Sequence, residues 1–271
     1  AAVLLLTALA GCSSGSSSST AASDASSSTS APADNDKKVL TIAQGGDITT
    51  FDMQNHNNGV TGAVLCNFSH GLVERADEDN AWVCVLAKSY EMIDDSTWEF
   101  KLRDDVTWHN GDPFTAADVK YTYERAATDE SLAENHIFKV IKEVQIIDDY
   151  TVRFVTDGPY PTMLSLLSKN GSQVMPSKYI EENGLDYYLE HPIGCGPYQF
   201  KEWVKDNVVV LERYDDYFGG TPYWDEVRFR AVPEASTRVA ELLTGNVDII
   251  VNVPTNEWDR INTEENTEMA L

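Results

Sequence analysis

Short strand-forming runs alternate with amphipathic helical segments along most of the chain, and this alternation most limits the folds open to it. Residues 39–43 are apolar and β-branched and lead into Gly45-Gly46, as expected of a buried strand that enters a turn. Trp98, Phe100 and Leu102 alternate with charged residues, which is the period of a half-buried strand. We see no internal repeat. The pattern predicts an α/β fold with mixed sheets.

The remaining elements follow from the same rules. Thr115 and Asp118 have the spacing of a capping box, which predicts that a helix begins there. The sequence also predicts a hairpin over 144–155, with its turn at Asp148-Asp149. Further helices are predicted over 60–73, 131–140, 161–167 and 234–243 and after Pro176, and further strands over 198–204, 208–213, 227–232 and 247–251.

The acidity of the chain excludes one class of partner. The formal net charge is -24, with 20 Lys and Arg against 44 Asp and Glu. Nucleic-acid binding relies on basic side chains that neutralise phosphates, so we expect no nucleic-acid partner. The acidity is otherwise interpreted as a solubility feature.

The first residues predict the location of the protein. Residues 1–10 (AAVLLLTALA) are uncharged and too short to span a bilayer, but they suit the apolar part of a signal peptide. Leu9-Ala10-Gly11-Cys12 resembles a lipobox, which predicts that Cys12 carries a lipid. An ordinary secretory signal followed by a chance cysteine is the alternative. Residues 13–38 are rich in Ser, Ala and Thr and predict a disordered tether. Together these features predict membrane anchoring at the cell surface or in the periplasm.

No cysteine or histidine motif points to a metal, a cofactor or catalysis. Cys66, Cys84 and Cys195 are an odd number; a Cys66–Cys84 disulfide stays open, and isolated thiols are the alternative. His109 beside Asp112 is interpreted as a hydrogen-bonded pair that fixes a loop, rather than as an acid–base pair. The sequence therefore predicts no enzyme activity, no bound metal and no cofactor.

Several separated motifs carry a family resemblance. Residues 98–119 (WEFKLRDDVTWHNGDPFTAADV) resemble the signature of the extracellular solute-binding proteins of family 5, the peptide-, dipeptide- and nickel-binding proteins of ABC importers. Cys195, Tyr90 and Phe218 depart from the family pattern, which has Thr, Trp and Trp there. The resemblance covers about residues 38–271, and further matching segments occur in the family's order at 86–90 (LAKSY), 192–198 (PIGCGPY), 213–222 (RYDDYFGGTP) and 245–248 (GNVD).

The resemblance implies a periplasmic-binding-protein-like fold of type II, a clamp of two lobes that closes over its ligand. It implies a domain I formed by 39–56 and 186–271 and a domain II inserted over 57–185. A third domain is expected beyond residue 271, so that the chain is an N-terminal fragment and most of the second lobe is missing.

The resemblance also implies a function and a set of contacts. The expected protein is a monomeric, lipid-anchored substrate-binding component that captures oligopeptides or dipeptides and delivers them to the transmembrane subunits of an ABC permease. A nickel chelate or another small solute is the alternative ligand, and a surface hydrolase is the less favoured alternative function. The ligand contacts implied by the family are Asn57, Asn58, Gly59, Val60, Asn135, His136, Asn252 and Pro254.

Overall fold

The computed structural model describes residues 37–76 and 81–270. The predicted signal peptide, Cys12 and nearly all of the predicted tether lie outside the described residues. The strands are β1 (Val39–Gln44), β2 (Val73–Arg75), β3 (Trp82–Cys84), β4 (Ala87–Asp94), β5 (Thr97–Leu102), β6 (Ile141–Asp148), β7 (Thr151–Thr156), β8 (Tyr198–Val204), β9 (Val208–Arg213), β10 (Glu226–Ala231) and β11 (Ile249–Ile250).

The helices confirm most of the predicted ones, with boundaries moved by a few residues. A short 3-10 turn over Thr255–Glu257 precedes the last helix. The helices are α1 (Gly59–Phe68), α2 (Ala116–Thr128), α3 (Asn135–Phe138), α4 (Met163–Leu167), α5 (Ser177–Asn183), α6 (Leu185–Glu190), α7 (Ala235–Leu243) and α8 (Trp258–Thr263).

Within the described part of the chain, five strands form one mixed sheet in the order β11-β1-β10-β9-β8. β1 pairs in parallel with both β10 and β11, whereas β9 pairs antiparallel with β10 and with β8. The connection from β10 through α7 to β11 therefore passes over β1. Because β1, β10 and β11 are parallel, their carboxyl ends lie at one edge of the sheet. One face of the sheet packs on a core that includes Phe51, Phe68, Tyr188, Leu211 and Phe229.

A second sheet is antiparallel and has the order β4-β5-β7-β6 in the residues that the structure describes. Phe100 and Phe154 from its central strands pack edge to face, 5.4 Å apart, and Tyr123 of α2 packs on Phe154 at 5.1 Å. Glu99 departs from the predicted alternation, because it is buried instead of exposed. It bonds Arg153 and Lys101 at 2.8 and 2.9 Å, and these cations cover it.

The predicted start of α2 is confirmed, and its acidic residue does more than cap the helix. The Thr115 amide donates to Asp118 Oδ2 at 2.9 Å. Asp118 is buried, and its Oδ1 accepts from the amide and the hydroxyl of Ser177 at 2.8 and 2.7 Å. The same carboxylate thus ties α2 to the first residue of α5.

His109 fixes a loop, but its partner is not Asp112 as predicted. Its Nδ1 accepts from the Gly194 amide and its Nε2 donates to the Gly196 carbonyl, both at 3.0 Å. Asp112 instead pairs with Lys178 at 2.9 Å. The prediction was wrong in its partner because the closer polar groups come from a loop 85 residues away in the chain.

The same loop packs against the end of α1, and we call this contact the glycine joint (Phe68, His109, Gly194 and Gly196). The Gly196 amide donates to the Phe68 carbonyl at 2.9 Å. A Cβ at Gly194 would lie 2.0 Å from that carbonyl oxygen, and one at Gly196 would lie 2.6 Å from the carbonyl carbon. Only glycine permits this approach of the two backbones.

Two predicted elements are shorter than expected. The helix predicted over 131–140 is reduced to α3, because the chain first makes turns in which Leu132 N donates to Asp129 O and Asn135 N donates to Leu132 O. The strand predicted over 247–251 is reduced to β11. Just before β11, the side chain of Asp248 accepts a hydrogen bond from the Thr41 amide. Just after it, Asn252 turns the chain with a φ of 55°.

The three cysteines within the described residues are free thiols, so the Cys66–Cys84 disulfide does not form in this structure. Cys195 is fully buried and lies 3.6 Å from the Ser69 hydroxyl, in the core that contains Phe100 and Phe154 of the antiparallel sheet.

The predicted domain boundaries remain a prediction. The five-stranded sheet takes its strands from 39–44 and 198–250, and the antiparallel sheet takes its strands from 87–156. α1 lies between these ranges and packs on the core of the five-stranded sheet through Val64, Leu65 and Phe68, the helix face that the sequence predicted.

Gly194→Ala is expected to destabilise the fold by at least ~2 kcal/mol, because the added methyl group overlaps the Phe68 backbone. Urea unfolding followed by tryptophan fluorescence measures the change. Gly46→Ala is the matched control, since a Cβ there meets nothing within 4 Å. Equal stability of the two variants would contradict the glycine joint.

The glycine joint also predicts a pH dependence. Burial lowers the pKa of His109 from 6.5 to about 4, so the folded protein holds the ring neutral while the unfolded chain protonates it. The contribution of His109 to the free energy of unfolding is fully present above pH 6.5. It falls as the pH drops from 6.5 towards 4, by up to about 3 kcal/mol.

Urea unfolding at pH 7.5, 6 and 5 tests this loss. His109→Gln can still donate and accept but does not titrate, so its stability should depend less on pH over that range. Parallel curves for the two proteins would refute the assignment.

Candidate functional site

Two of the three predicted contact segments follow the carboxyl ends of neighbouring parallel strands. Asn57–Val60 comes after β1, and Asn252 and Pro254 come after β11. In open sheets, ligands bind outside the carboxyl ends of parallel strands, where consecutive connections diverge. β1 and β11 are neighbours in the sheet, so the segments that follow them start from the same edge. We call the segments 45–60 and 251–254 the candidate ligand edge.

The loop after β1 is fixed by side-chain hydrogen bonds. Asn58 is the N-cap of α1, and its Oδ1 accepts from the Thr61 amide at 2.7 Å. Thr61 Oγ1 in turn accepts from the Thr49 amide at 3.0 Å. Asn57 is exposed, and its side chain makes no hydrogen bond to any residue in the described ranges. Of the two asparagines, Asn58 thus shapes the loop, and Asn57 is available to a ligand.

A buried ion pair anchors the beginning of this loop. Arg125 of α2 donates to both oxygens of Asp52, at 2.9 and 2.6 Å, and also to Gln54 Oε1 at 2.9 Å. Gln54 then donates to the carbonyls of Gly171 and Gln173 at 3.3 and 3.2 Å. The network joins the loop to α2 and to the 171–173 turn.

A second ion pair lies beside the first. Glu134 is buried, pairs with Lys169, and donates its amide to the Gln54 carbonyl at 3.1 Å. His56 is 3% exposed, and neither ring nitrogen meets the geometry of a hydrogen bond to any group in the described residues. Burial lowers the pKa of His56, which keeps the ring neutral near pH 7. His56 therefore belongs to the packing beneath the loop.

The third predicted segment, Asn135 and His136, is joined to the same loop through the neighbouring Glu134. Its two side chains differ in whether they are free to bind a ligand. The Asn135 side-chain amide donates to the carbonyls of Ala126 and Ala127, both at 3.0 Å, and so caps the end of α2. His136 is exposed, and its Nδ1 is 3.0 Å from the Ala133 carbonyl. The structure gives Asn135 a role in helix capping that the sequence did not predict.

The segment after β11 presents one asparagine to solvent. Asn252 is exposed, has a φ of 55°, and its side chain bonds to nothing else in the described chain. A cavity of about 620 Å³ lies against it and extends along Ile250, Val253 and Trp258. Such a volume lies in the range of small-molecule sites.

Sequence reasoning missed the side chains that hold these segments in place. Arg125 lies 73 residues from Asp52, and Arg238 lies 14 residues from Asn252, whose carbonyl it binds. Both arginines occupy helices whose patterns predict only an amphipathic face. No local signal marks their partners.

Two classes of site receive no support in residues 37–76 and 81–270. No group of three or more His, Cys, Asp or Glu side chains there is placed to hold a metal ion. Over the same ranges, no helix combines the length and the apolar character that crossing a bilayer needs.

Comparison with known proteins identifies the family. A sequence model of the bacterial extracellular solute-binding proteins, family 5 (Middle), matches residues 81–270. The glutathione-binding protein GsiB of Pectobacterium atrosepticum is 30% identical over 237 residues. That alignment covers 86% of this chain and 45% of the relative, so the chain spans less than half of that protein's length.

Solved structures show the same fold. The periplasmic binding protein DppA from Helicobacter pylori, in complex with the peptide STSA, superposes with a TM-score of 0.77 and is 26% identical, over 84% of this chain and 49% of that one. NikZ from Campylobacter jejuni, in complex with Ni(L-His), gives a TM-score of 0.75 and 27% identity, over 85% and 46%. The predicted periplasmic-binding-protein-like fold with mixed sheets is confirmed, and the chain belongs to the bacterial extracellular solute-binding proteins of family 5.

Proposed function

We propose that this protein is the substrate-binding component of an ABC importer and that it captures short peptides reversibly. The observation that carries the proposal is the chemistry of the candidate ligand edge. Asn57 and Asn252 present free side-chain amides there. An amide offers both a donor and an acceptor, which matches the hydrogen-bonding groups of a peptide backbone.

The cations near this edge support the same proposal. Arg125 is held by Asp52, Lys169 by Glu134, and Arg238 by backbone carbonyls. These charges bind groups of the protein itself, so this part of the site is expected to bind uncharged groups of the ligand.

The relatives favour a peptide over a metal chelate. GsiB is named for glutathione, a small peptide, and DppA was solved with a tetrapeptide, whereas NikZ was solved with Ni(L-His). His136 is exposed and lies in one of the predicted contact segments, where an imidazole could reach a chelated metal. A nickel chelate is the second candidate.

The mechanism in this proposal is closure without chemistry. Domain I (39–56 and 186–271) and domain II (57–185) form one side of a clamp, and a further domain beyond residue 271 supplies the other. Closing the lobes buries the ligand, and the closed form docks on the transmembrane subunits of the permease. The protein acts as a monomer and releases its ligand unaltered.

We propose further that Cys12 carries a lipid and that residues 13–38 tether the binding domain to the membrane, at the cell surface or in the periplasm. The apolar residues 1–10 and the lipobox-like Leu9–Cys12 support this location.

The full-length protein is expected to bind glutathione or the peptide Ser-Thr-Ser-Ala saturably in isothermal titration calorimetry. Asn57→Ala and Asn252→Ala should each weaken that binding about fivefold, because each removes one hydrogen bond to the ligand. Asn57→Ala should leave the melting temperature unchanged, since that side chain is exposed and makes no other bond within the described structure. Asn252→Ala should lower it slightly, because alanine tolerates the left-handed φ of 55° less well than asparagine does.

Asn246→Ala is the matched control. Asn246 is also exposed, but it lies before β11, at the opposite end of that strand. Saturable binding of Ni(L-His) in place of both peptides would select the second candidate. Conversion of a bound peptide, detected by mass spectrometry, would refute a pure binding function.

Cys12→Ser is expected to abolish metabolic labelling with a radioactive fatty acid and to release the protein from the membrane fraction, because the thiol that carries the lipid is lost. Cys66→Ser, which removes an exposed thiol of the folded part, should leave both unchanged. Retention of the Cys12→Ser protein in the membrane would contradict the anchor.

A further inference from the structure

Arg238 is a buried cation that has no acidic partner among the residues the structure describes. It lies on α7, is 5% exposed, and forms no ion pair with any Asp or Glu in the described residues. Burying a guanidinium is costly unless its charge and its donors are satisfied. The side chain must therefore be held at this position by other groups.

The groups that hold it are backbone carbonyls from the ends of two strands. Nη1 donates to the carbonyls of Val232 and Pro233, after β10, at 2.8 and 3.0 Å. Nε and Nη2 donate to the carbonyls of Val251 and Asn252, after β11, both at 3.3 Å. β1 lies between these two strands, so one guanidinium bridges the segments that follow the strands on both sides of β1. This is the side of the sheet that carries the candidate ligand edge.

The contact with Asn252 bears directly on the site. A φ of 55° is a left-handed conformation, which costs free energy for a residue other than glycine and persists where its surroundings fix it. The charge-assisted bond from Arg238 to the Asn252 carbonyl is such a constraint. The Asn252 side chain itself makes no bond within the described structure, so its direction depends on its backbone.

We propose that Arg238 is a positioning residue of the ligand site, which presents the Asn252 amide to a peptide by holding the backbone that carries it. This inference rests on the proposed peptide-binding function. It assigns Arg238 an effect on ligand affinity beyond any effect on stability.

Arg238→Lys in the full-length protein is the first test. Lysine keeps the charge but lacks the planar fork of donors, so it cannot hold carbonyls of both strand ends at once. Affinity for glutathione or Ser-Thr-Ser-Ala, whichever the unmodified protein binds, is expected to fall about tenfold, as for one lost charge-assisted bond. Arg230→Lys is the matched control, because Arg230 lies on β10 and pairs with Glu241 instead.

A second variant separates positioning from stability. A Cβ at Gly45 would lie 3.6 Å from Arg238 Nη1, and the backbone there does not require glycine. Gly45→Asp should draw the guanidinium away from the Asn252 carbonyl while it adds an ion pair. We expect affinity to fall about fivefold and the melting temperature to stay the same or rise. Gly45→Asn, of equal size and no charge, is the reference for the added side chain, and Gly45→Asp is expected to bind about fivefold more weakly than it does.

A double variant completes the test. If Arg238 acts through Asn252, adding Asn252→Ala to Arg238→Lys should cost no further affinity, because the amide is already displaced. Unchanged affinity in both Arg238→Lys and Gly45→Asp, or independent losses in the double variant, would overturn the inference. Should Arg238→Lys not fold, the Gly45 pair decides alone. Absence of binding by the unmodified protein would instead count against the proposed function.

Discussion

The buried ion pair between Asp52 and Arg125 is the constraint on which the rest of the candidate site depends. Asp52 follows β1 by a few residues, and Arg125 lies on α2, a helix that packs on the other sheet. Both partners are largely buried, and removal of one member of such a pair costs about 3–5 kcal/mol. The pair therefore fixes the loop that carries Asn57 relative to an element 73 residues away.

In this structure the charged side chains near the candidate ligand edge hold its loops, and different side chains, which are uncharged, are exposed there. The chain has a net charge of -24, yet the arginines nearest the candidate ligand edge lie inside the protein and bind its own groups. Their strong, directional bonds hold loops whose backbone would otherwise be free to move. Two exposed side chains of that edge, Asn57 and Asn252, are uncharged amides. This division would suit the proposed peptide ligand, because the backbone of a peptide offers the same hydrogen-bonding groups whatever its sequence.

Local patterns were sufficient for most of the fold and for only part of the site. The strands β8 and β9 begin and end at the predicted residues, because alternation and a polar turn are both local signals. The prediction over 131–140 was wrong in length, since turns after Asp129 replaced regular helix. The role of Asn57 as a ligand contact was predicted from the family resemblance, and it remains a prediction. Arg125 and Arg238 were not, because each acts on backbone or side chains that only the tertiary fold brings near.

Two reactive side chains of the described chain, Cys195 and His109, are buried and already engaged. Burial raises the pKa of the Cys195 thiol to about 11, so the thiolate that would act as a nucleophile does not form near neutral pH. Both ring nitrogens of His109 are used by the glycine joint, and burial lowers the pKa of that ring. A general base must reach a proton on its substrate, and this ring faces its own backbone instead. In the proposed binding function, the exposed amides of Asn57 and Asn252 need only offer hydrogen bonds from loops that are held in place.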